Sequence, residues 1–268
     1  MRIDPVVDTE LLLAADDAWF DWEGGRGASA ADWEAHPDLT ENGRVRFSFG
    51  GFLLRGGLLG DRVVLIDCGN GPQGDEVIGA GALPASLRAL GVDPGEVTDV
   101  IVTHLHYDHT GWLAPEGVIT FPSAAVHVAA ADIAYFTAPA SPGRSAAVTP
   151  ERLDAVSAHL VPFSGPLTVA PGLDLVPAPG HTPGSTVVVA SDGVRRIVFL
   201  GDVVHCPIQL VDEEWAAMSD VDPVQARRTR EALVRELEGA DVGGAHFPGL
   251  RLGRLVVSER PRRWSGLG

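Results

Sequence analysis

Cysteine is scarce in this chain, whose 268 residues include only Cys68 and Cys206. Two cysteines cannot build a disulfide framework, and neither has a Cys or His neighbour at zinc-finger spacing. We therefore expect two small buried residues in a protein of the reducing cytoplasm. The sequence also lacks a run of eighteen apolar residues and the basic and apolar regions of a signal peptide. We therefore expect neither a membrane span nor export.

Positive charge is scarce as well. Lysine and arginine together number 20 against 36 aspartates and glutamates, which gives a net charge of −16. Proteins that bind nucleic acid usually carry a basic face, and this sequence has no Lys/Arg cluster of that kind. We therefore expect a small-molecule substrate and neither a nucleic-acid nor a membrane partner. The hydrophobic share of 45% and the charged share of 21% are typical of a globular protein with a sizeable core.

Histidine, by contrast, is concentrated in one short stretch. Three of the nine histidines and one aspartate fall within residues 104–109, directly after an apolar run that predicts a buried strand. A strand places residues i and i+2 on one side, so His104 and His106 can point at one spot. If the chain then turns, Asp108 and His109 can reach a neighbouring spot. Imidazole suits zinc and similar metals, and a carboxylate adds a hard oxygen, so this stretch favours a metal site over scattered histidines.

The remaining pattern alternates strands and helices. Strands are predicted at 45–55, 62–67, 97–102, 117–121, 125–128, 167–170, 173–177, 186–190, 195–200 and 241–245. Helices are predicted at 84–90, 150–158 and 222–239, and a loop at 137–149. Asp222 and Pro223 are suited to the N-cap and the first position of the last helix. Its arginines Arg227, Arg228 and Arg230 are expected on a solvated face.

Residues 1–43 are interpreted as an irregular extension of one domain spanning 1–268. The extension carries the aromatic residues Trp19, Phe20, Trp22 and Trp33. Packing on the main core is one interpretation of these aromatics. The alternative is a lid over the site or a contact in a homodimer, because aromatic residues among polar neighbours favour such surfaces.

Polar residues follow the predicted strands in a recurring order, as in open α/β folds whose sites lie beyond strand ends. Four features occur in sequence: His-x-His-x-Asp-His at 104–109, Gly-His-Thr-Pro-Gly at 180–184, Gly-Asp at 201–202 and the late His246. Together they resemble the metallo-β-lactamase-fold hydrolases over about residues 47–255. The resemblance implies an αββα sandwich of two similar halves with a metal site at the edge of its sheets.

The same resemblance implies two divalent metal ions and assigns their ligands. The first ion would be held by His104, His106 and His181, the second by Asp108, His109 and His246, and Asp202 would bridge them. Asp67, at the end of a predicted strand, would support the ligand loop from behind. Two cations roughly 3.5–4 Å apart can share a hydroxide and make it a nucleophile near neutral pH. Zinc is the default metal, with iron, manganese and cobalt as alternatives.

Later residues resemble one branch of this family. Asp202-Val203-Val204-His205, followed by Pro207 and Gln209, is similar to the methyl-parathion-hydrolase-like and lactonase-like branch. Acyl-homoserine lactonases of that branch often carry, three residues after the bridging Asp, a Tyr that hydrogen-bonds the substrate carbonyl; here that position is His205. The catalytic candidates are therefore Asp108, His205 and Tyr107, while a filling role for His205 and a packing role for Tyr107 remain alternatives.

The sequence thus predicts a hydrolase with two metal ions that cleaves a small, fairly apolar lactone, aryl ester or phosphotriester. One alternative is a thioester hydrolase of glyoxalase-II type, although basic residues for holding glutathione are not evident. A mononuclear iron dioxygenase or a non-catalytic metal-binding protein is the alternative from another class.

Overall fold

The computed structural model describes residues 1–14, 33–34, 36–73, 79–138, 148–211, 215, 219–256 and 262–267. Strands dominate this part of the chain. They are β1 (Arg2–Ala14), β2 (Thr40–Glu41), β3 (Arg44–Arg55), β4 (Val63–Ile66), β5 (Asp99–Ile101), β6 (Ala125–Ala129), β7 (Leu160–Phe163), β8 (Leu167–Ala170), β9 (Leu173–Pro177), β10 (Thr186–Ser191), β11 (Arg196–Phe199), β12 (Asp241–Gly243), β13 (Gly253–Val256) and β14 (Arg263–Gly266).

The strands form two sheets. The first has the order β1-β3-β4-β5-β6-β7, with β2 beside β3, and the second has the order β14-β13-β12-β11-β10-β9-β8. The α-helices are α1 (Leu83–Ala89), α2 (Tyr107–Thr110), α3 (Ala130–Thr137), α4 (Pro150–Ala155), α5 (Ile208–Val211) and α6 (Pro223–Glu236). Among the described residues, no helix combines the length and the apolar character needed to cross a bilayer.

Three apolar layers hold the sheets and helices together. The two sheets face each other through a shared core in which Ile66 of β4 and Phe199 of β11 are buried. The outer face of the first sheet packs on α1, α3 and α4 through side chains such as Leu87 and Phe136. The outer face of the second sheet packs on α6 through Val234. The order helix, sheet, sheet, helix is the αββα sandwich that the resemblance implies, and this prediction is confirmed.

The site-bearing loops leave the sheets at one edge because of strand direction. β4, β5, β6 and β7 pair in parallel, so the carboxyl ends of β4 and β5 lie side by side. Asp67 directly follows β4, and the histidine stretch 104–109 follows β5. In the second sheet β11 and β12 are also parallel. Asp202 and His246 follow these two strands, so both sheets deliver polar residues to the same edge.

The interpretation of residues 1–43 as irregular is wrong for its first part. β1 pairs with β3 along its whole length, with a register shift between Val7 and Thr9. The acidic residues of β1 obscure its strand pattern in the sequence. Asp8 lies at the register shift, where its side chain is buried and accepts hydrogen bonds from backbone N–H groups. Trp33 is buried, whereas Trp19, Phe20 and Trp22 lie outside the described residues, as does most of the segment expected to form a lid or a dimer contact.

Most other predicted elements are confirmed, including the helix capped by Asp222, whose carboxylate accepts from Gln225 N at 2.9 Å. The strand predicted at 117–121 is wrong. A 3-10 helix at Pro115–Gly117 and left-handed backbone at Glu116 and Gly117 turn the chain there instead. The sequence does not predict the strands β1, β2, β7, β13 and β14 or the helices α3 and α5. Most of the loop predicted at 137–149 lies outside the described residues.

Candidate metal centre

Three histidine nitrogens converge on one point at the sheet edge. His104 Nε2 and His106 Nδ1 are 3.0 Å apart, and His181 Nε2 lies 3.1 Å from the first and 3.0 Å from the second. The backbone explains the first pair, because both residues belong to the extended loop that follows β5. His181 comes from the turn before β10, so the point of convergence lies between the two sheets. Asp202 completes this first donor group.

A second donor group lies beside the first. It consists of Asp108, His109, Asp202 and His246, whose ligand atoms lie within 4.8 Å of one another. The short helix α2 turns Asp108 and His109 away from the first group, as the sequence leads us to expect. His246 Nε2 is 3.1 Å from Asp202 Oδ2 and 3.4 Å from Asp108 Oδ2. Asp202 therefore belongs to both groups, with its Oδ1 3.3 Å from His109 Nε2.

The residues present fit divalent metal ions. In a tetrahedral site with metal–nitrogen bonds of about 2.0–2.1 Å, neighbouring donors lie roughly 3.3–3.4 Å apart, close to the nitrogen spacings of the first group. In addition, His109 Nε2 and Asp202 Oδ1 are buried and, although 3.3 Å apart, meet the geometry of a hydrogen bond neither with each other nor with any other described residue. Buried polar atoms are rarely left unpaired, so these two atoms indicate a missing partner. The first group offers mainly nitrogen, and the second offers more oxygen.

The burial of the first group favours neutral imidazoles. Burial is the main reason that the pKa values of His104 and His106 lie well below their ordinary value, and the neighbouring imidazoles lower them further. A neutral imidazole keeps the lone pair that a metal ligand needs. The side chains of this pair are therefore in the form that binds a metal ion.

Opposite charges dominate the second group. Burial alone would lower the pKa of His109, but nearby carboxylates, led by Asp202, raise it well above the ordinary value. Burial alone would raise the pKa of Asp202, but the surrounding imidazoles, led by His246, hold it well below its usual range. The centre of the site is therefore an ionised carboxylate surrounded by imidazole rings.

Asp67 lies behind the donors and not among them. Its Oδ2 is 2.9 Å from His109 Nδ1 and accepts from Thr103 Oγ1 at 2.8 Å, while Oδ1 accepts from Thr103 N at 2.8 Å. The backbone of Asp67 is left-handed, with a φ of 58°, which Asp tolerates better than most residues. This carboxylate therefore fixes the ring of His109 so that Nε2 points into the site.

A second carboxylate fixes His181, and sequence reasoning missed it. Asp220 Oδ1 is 3.1 Å from His181 Nδ1, and Arg230 of α6 reaches Asp220 Oδ2 at 3.3 and 3.4 Å. Arg230 has only 1% of its surface exposed, so its prediction as a solvated residue is wrong. The signal was available: Arg230 lies midway between Ala226 and Val234, four residues from each, on the buried face of the helix.

The Gly-His-Thr-Pro-Gly turn can approach α6 closely because its first residue is glycine. A Cβ on Gly180 would lie 2.3 Å from the backbone of Ala226, and its φ of +140° is rarely adopted by other residues. The turn therefore lies directly on the helix that also carries Arg230, and this contact places His181 at the sheet edge.

His205 lies beside the donor groups. Its Nε2 is 3.3 Å from Asp202 Oδ2 and 3.3 Å from Ser219 Oγ, and its Nδ1 is buried with no partner among the described residues. Burial is the main reason that the pKa of His205 is lowered. The backbone N–H of His205 donates to Gln209 Oε1 at 2.6 Å, and Gln209 in turn donates to Trp215 O. The fully buried Gln209 thus holds the His205 loop in place.

An aromatic cluster borders the second donor group, and the sequence motifs did not indicate it. Phe47 of β3 stacks on His246, with ring centroids 4.3 Å apart, and Ser48 O lies 3.0 Å from His246 Nδ1. Trp33 and Trp215 pack edge to face in the same cluster, with ring centroids 5.3 Å apart. We name the buried set the aromatic cluster: Leu13, Trp33, Leu39, Val45, Phe47, Phe49, Cys206, Ile208 and Trp215. Tyr107 is half-buried and packs against this cluster.

The two cysteines and the remaining strand histidine lie outside the donor groups. Cys68 and Cys206 are buried and free, as predicted. Burial raises the pKa of Cys68 well above its ordinary value and that of Cys206 to about 12, so neither is a reactive thiolate. His127 lies on β6, where its Nε2 is 3.0 Å from Asp99 Oδ1.

Comparison with known proteins places this geometry in a family. The sequence profile of the Metallo-beta-lactamase superfamily matches residues 52–244. The human protein named Metallo-beta-lactamase domain-containing protein 1 is 34% identical over 173 residues, which are 64% of this chain and 53% of that protein. The chain spans about half the length of the curated relatives it matches.

Solved structures share the fold over nearly the whole chain. AidC, a dizinc quorum-quenching lactonase in complex with a homoserine product, has a TM-score of 0.80 at 21% identity and covers 98% of this chain and 92% of its own. The hydrolase AbOPH has a TM-score of 0.77 at 21% identity, and the match covers 99% of this chain and 93% of AbOPH. The likeness to these structures shows the fold, and the profile match shows that the chain belongs to the metallo-β-lactamase superfamily.

Proposed function

We propose that this protein is a hydrolase that binds two divalent metal ions and cleaves a small, fairly apolar ester-like substrate: a lactone, an aryl ester or a phosphotriester. The observation that carries the proposal is the position of Asp202, whose carboxylate belongs to both donor groups. A mononuclear site needs only one such group. A second complete group that shares a carboxylate with the first favours a pair of ions acting on one substrate.

The proposed ligands follow the two groups. His104, His106 and His181 would hold the first ion and Asp108, His109 and His246 the second, while Asp202 belongs to both groups. Zinc is the preferred metal, with iron, manganese and cobalt as alternatives, because imidazole and carboxylate ligands suit all of them. Ions bound here would supply Lewis acidity and lower the pKa of water, so that a nucleophile is available near neutral pH.

The chain's own residues position the substrate and exclude solvent. The Asp108 side chain is 13% exposed, whereas those of His109, His246 and Asp202 are at most 5% exposed, so Asp108 marks the open side of the second group. His205 is the residue proposed to donate a hydrogen bond to the substrate oxygen, since its imidazole lies at the donor groups without being a member of either. Tyr107, packed on the aromatic cluster, is the second candidate for substrate contact.

The surroundings favour an uncharged, apolar substrate. The aromatic cluster borders His246, and the net charge of −16 disfavours polyanions. A dizinc lactonase with bound product is among the solved structures that share this fold, which supports lactones as the first class to test.

The experiment is a comparison of kcat/KM for the metal-loaded protein on γ-lactones, an aryl ester, a phosphotriester and a glutathione thioester. A value above about 10⁴ M⁻¹s⁻¹ on a lactone is the expected result. Turnover of none of these substrates would overturn the proposal.

A donor role for His205 gives a specific prediction. His205→Phe keeps an aromatic ring but removes the donor, and kcat is expected to fall by a factor of about 10²–10³, the usual effect of losing one transition-state donor. His205→Tyr restores a hydroxyl and should keep kcat within about tenfold of the parent. Metal content should be unchanged in both variants, as measured by elemental analysis. Equal kcat values in the Phe variant and the parent would show that His205 only fills space.

A further inference from the structure

Asp132 is a fully buried carboxylate outside the two donor groups, and its contacts reach both loops that carry the three histidines of the first group. It lies in the first turn of α3, behind the histidines. Its Oδ2 accepts from Leu105 N at 3.0 Å and from Thr182 Oγ1 at 3.0 Å. Its Oδ1 accepts from Gly184 N at 2.5 Å. Leu105 lies between the ligands His104 and His106, and Thr182 follows the ligand His181.

The two loops come from different sheets, which gives this contact its importance. The 104–109 loop follows β5 of the first sheet, and the 180–185 turn precedes β10 of the second. The first donor group exists only if these loops keep a fixed separation. One rigid carboxylate that accepts from both loops sets that separation, because each hydrogen bond tolerates only a few tenths of an ångström.

The sequence of the turn is adapted to this carboxylate. A Cβ on Gly184 would lie 2.7 Å from Cγ and from Oδ1 of Asp132, so the second glycine of the Gly-His-Thr-Pro-Gly motif leaves room for the carboxylate. Thr182 and Ser185 also hydrogen-bond each other at 2.9 Å, which stiffens the turn. The turn therefore accommodates the Asp132 carboxylate through both its glycine and its hydroxyl side chains.

Three hydrogen-bond donors face the buried carboxylate of Asp132. Burial raises its pKa, and the hydrogen bonds from Leu105, Thr182 and Gly184 act against that increase. Two of the three donors are backbone N–H groups, which cannot become acceptors. Either orientation of an amide in place of the carboxylate would set an NH₂ group against one of these N–H groups. Asn is therefore a poor substitute for Asp here, although the two are nearly the same size.

We propose that Asp132 is a positioning residue that fixes the spacing of His104 and His106 relative to His181 and thereby sets the affinity of the first donor group for its metal ion. This inference rests on the proposed function for the presence of that ion. Asp132 touches neither the ion nor the substrate. It acts through the two loops that it joins. On the 104–109 loop it contacts Leu105 N, between two histidines of the first group, so the first group is the one expected to weaken.

The test is Asp132→Asn in the full chain, stripped of metal and titrated with Zn²⁺ against a fluorescent chelator. The Kd for Zn²⁺ at the first donor group should rise by about 10–100-fold, the usual effect of losing a group that orients a ligand. The Kd for the other Zn²⁺ equivalent should stay within about threefold of the parent value. Activity should return on addition of excess Zn²⁺, with KM unchanged. Unchanged Kd values in a folded variant would overturn the inference. A parent protein that binds no Zn²⁺ would instead overturn the proposed function.

Two further comparisons distinguish an effect of Asp132 on the spacing of the histidine loops from an effect on the stability of the whole fold. Asp8→Asn makes the same change at another buried carboxylate that collects backbone N–H groups from Asn70, Gly71 and Leu83. It should lower the melting temperature without weakening Zn²⁺ binding at the first donor group.

If Asp132→Asn does not fold, Thr182→Val decides the question. Thr182→Val loses its bond to Asp132 as well as its bond to Ser185, whereas Ser185→Ala keeps the bond between Thr182 and Asp132. The Kd of Thr182→Val should therefore exceed that of Ser185→Ala by about three- to tenfold. Equal Kd values for these last two variants would also overturn the inference.

Discussion

Asp202→Asn is expected to lower kcat/KM by a factor of at least about 10³, roughly 4 kcal/mol of transition-state stabilisation. The reason is that one carboxylate serves both donor groups: its Oδ2 is 3.1 Å from His246 Nε2, and its Oδ1 is 3.3 Å from His109 Nε2. An amide carries no charge and offers only one oxygen. The variant should therefore lose metal as well as activity, since Asp202 belongs to both of the proposed metal sites.

The measurement combines kcat/KM on the best substrate with metal content per chain. Asp61→Asn is the matched control, because Asp61 is exposed in the turn between β3 and β4 and should leave both quantities unchanged. A variant at position 202 that keeps two metal ions and full activity would contradict the assignment of Asp202 as the shared ligand. Loss of activity with both ions retained would point to a catalytic role for the carboxylate beyond holding the ions.

Arg230→Gln is expected to lower the free energy of unfolding by about 3–5 kcal/mol, the usual cost of removing one partner of a buried ion pair. Arg230 and Asp220 have side chains that are 1% and 0% exposed, so the remaining carboxylate would be left buried without a cation. A melting temperature lower by roughly 6–20 °C follows for a chain of this size. Because Asp220 also fixes His181, weaker metal binding at the first donor group should accompany the lower stability.

Arg228→Gln provides the control for that experiment. It makes the same chemical change on the same helix, but Arg228 is exposed, and its loss should change the free energy of unfolding by less than about 0.5 kcal/mol. Urea unfolding of both variants and the parent, at a fixed metal concentration, measures the difference. Equal effects at positions 228 and 230 would show that Arg230 contributes no more than a surface arginine.

The candidate donors could be named from the sequence because residues 104–109 are local and because His181, Asp202 and His246 stand in motifs that resemble those of the metallo-β-lactamase-fold hydrolases. Residues 104–109 bring four donors together within six positions, and the expected turn after the strand is the short helix α2. His181, Asp202 and His246 each follow a glycine-containing turn at a strand end. Parallel strands deliver such residues to one edge, so their convergence follows from the order of elements.

The supporting residues could not be predicted in the same way, because their roles depend on distant parts of the chain. Asp132 lies in an alanine-rich stretch with no motif and gains its role only when loops from both sheets reach it. Asp220 hydrogen-bonds His181, which lies 39 residues away in the sequence. β1 carries so many acidic residues that its pairing with β3 was hidden. Arg230 is the exception, since its spacing on the helix placed it on the buried face and only its charge suggested exposure.

The most direct test of the account is the number of metal ions that the folded chain binds. The apo protein would be titrated with Zn²⁺, desalted and analysed for metal and protein, and the rate of lactone hydrolysis would be followed in the same samples. We expect two ions per chain at saturation, with activity that rises as the second equivalent binds. A plateau at one ion, or full activity in samples that contain no metal, would contradict it.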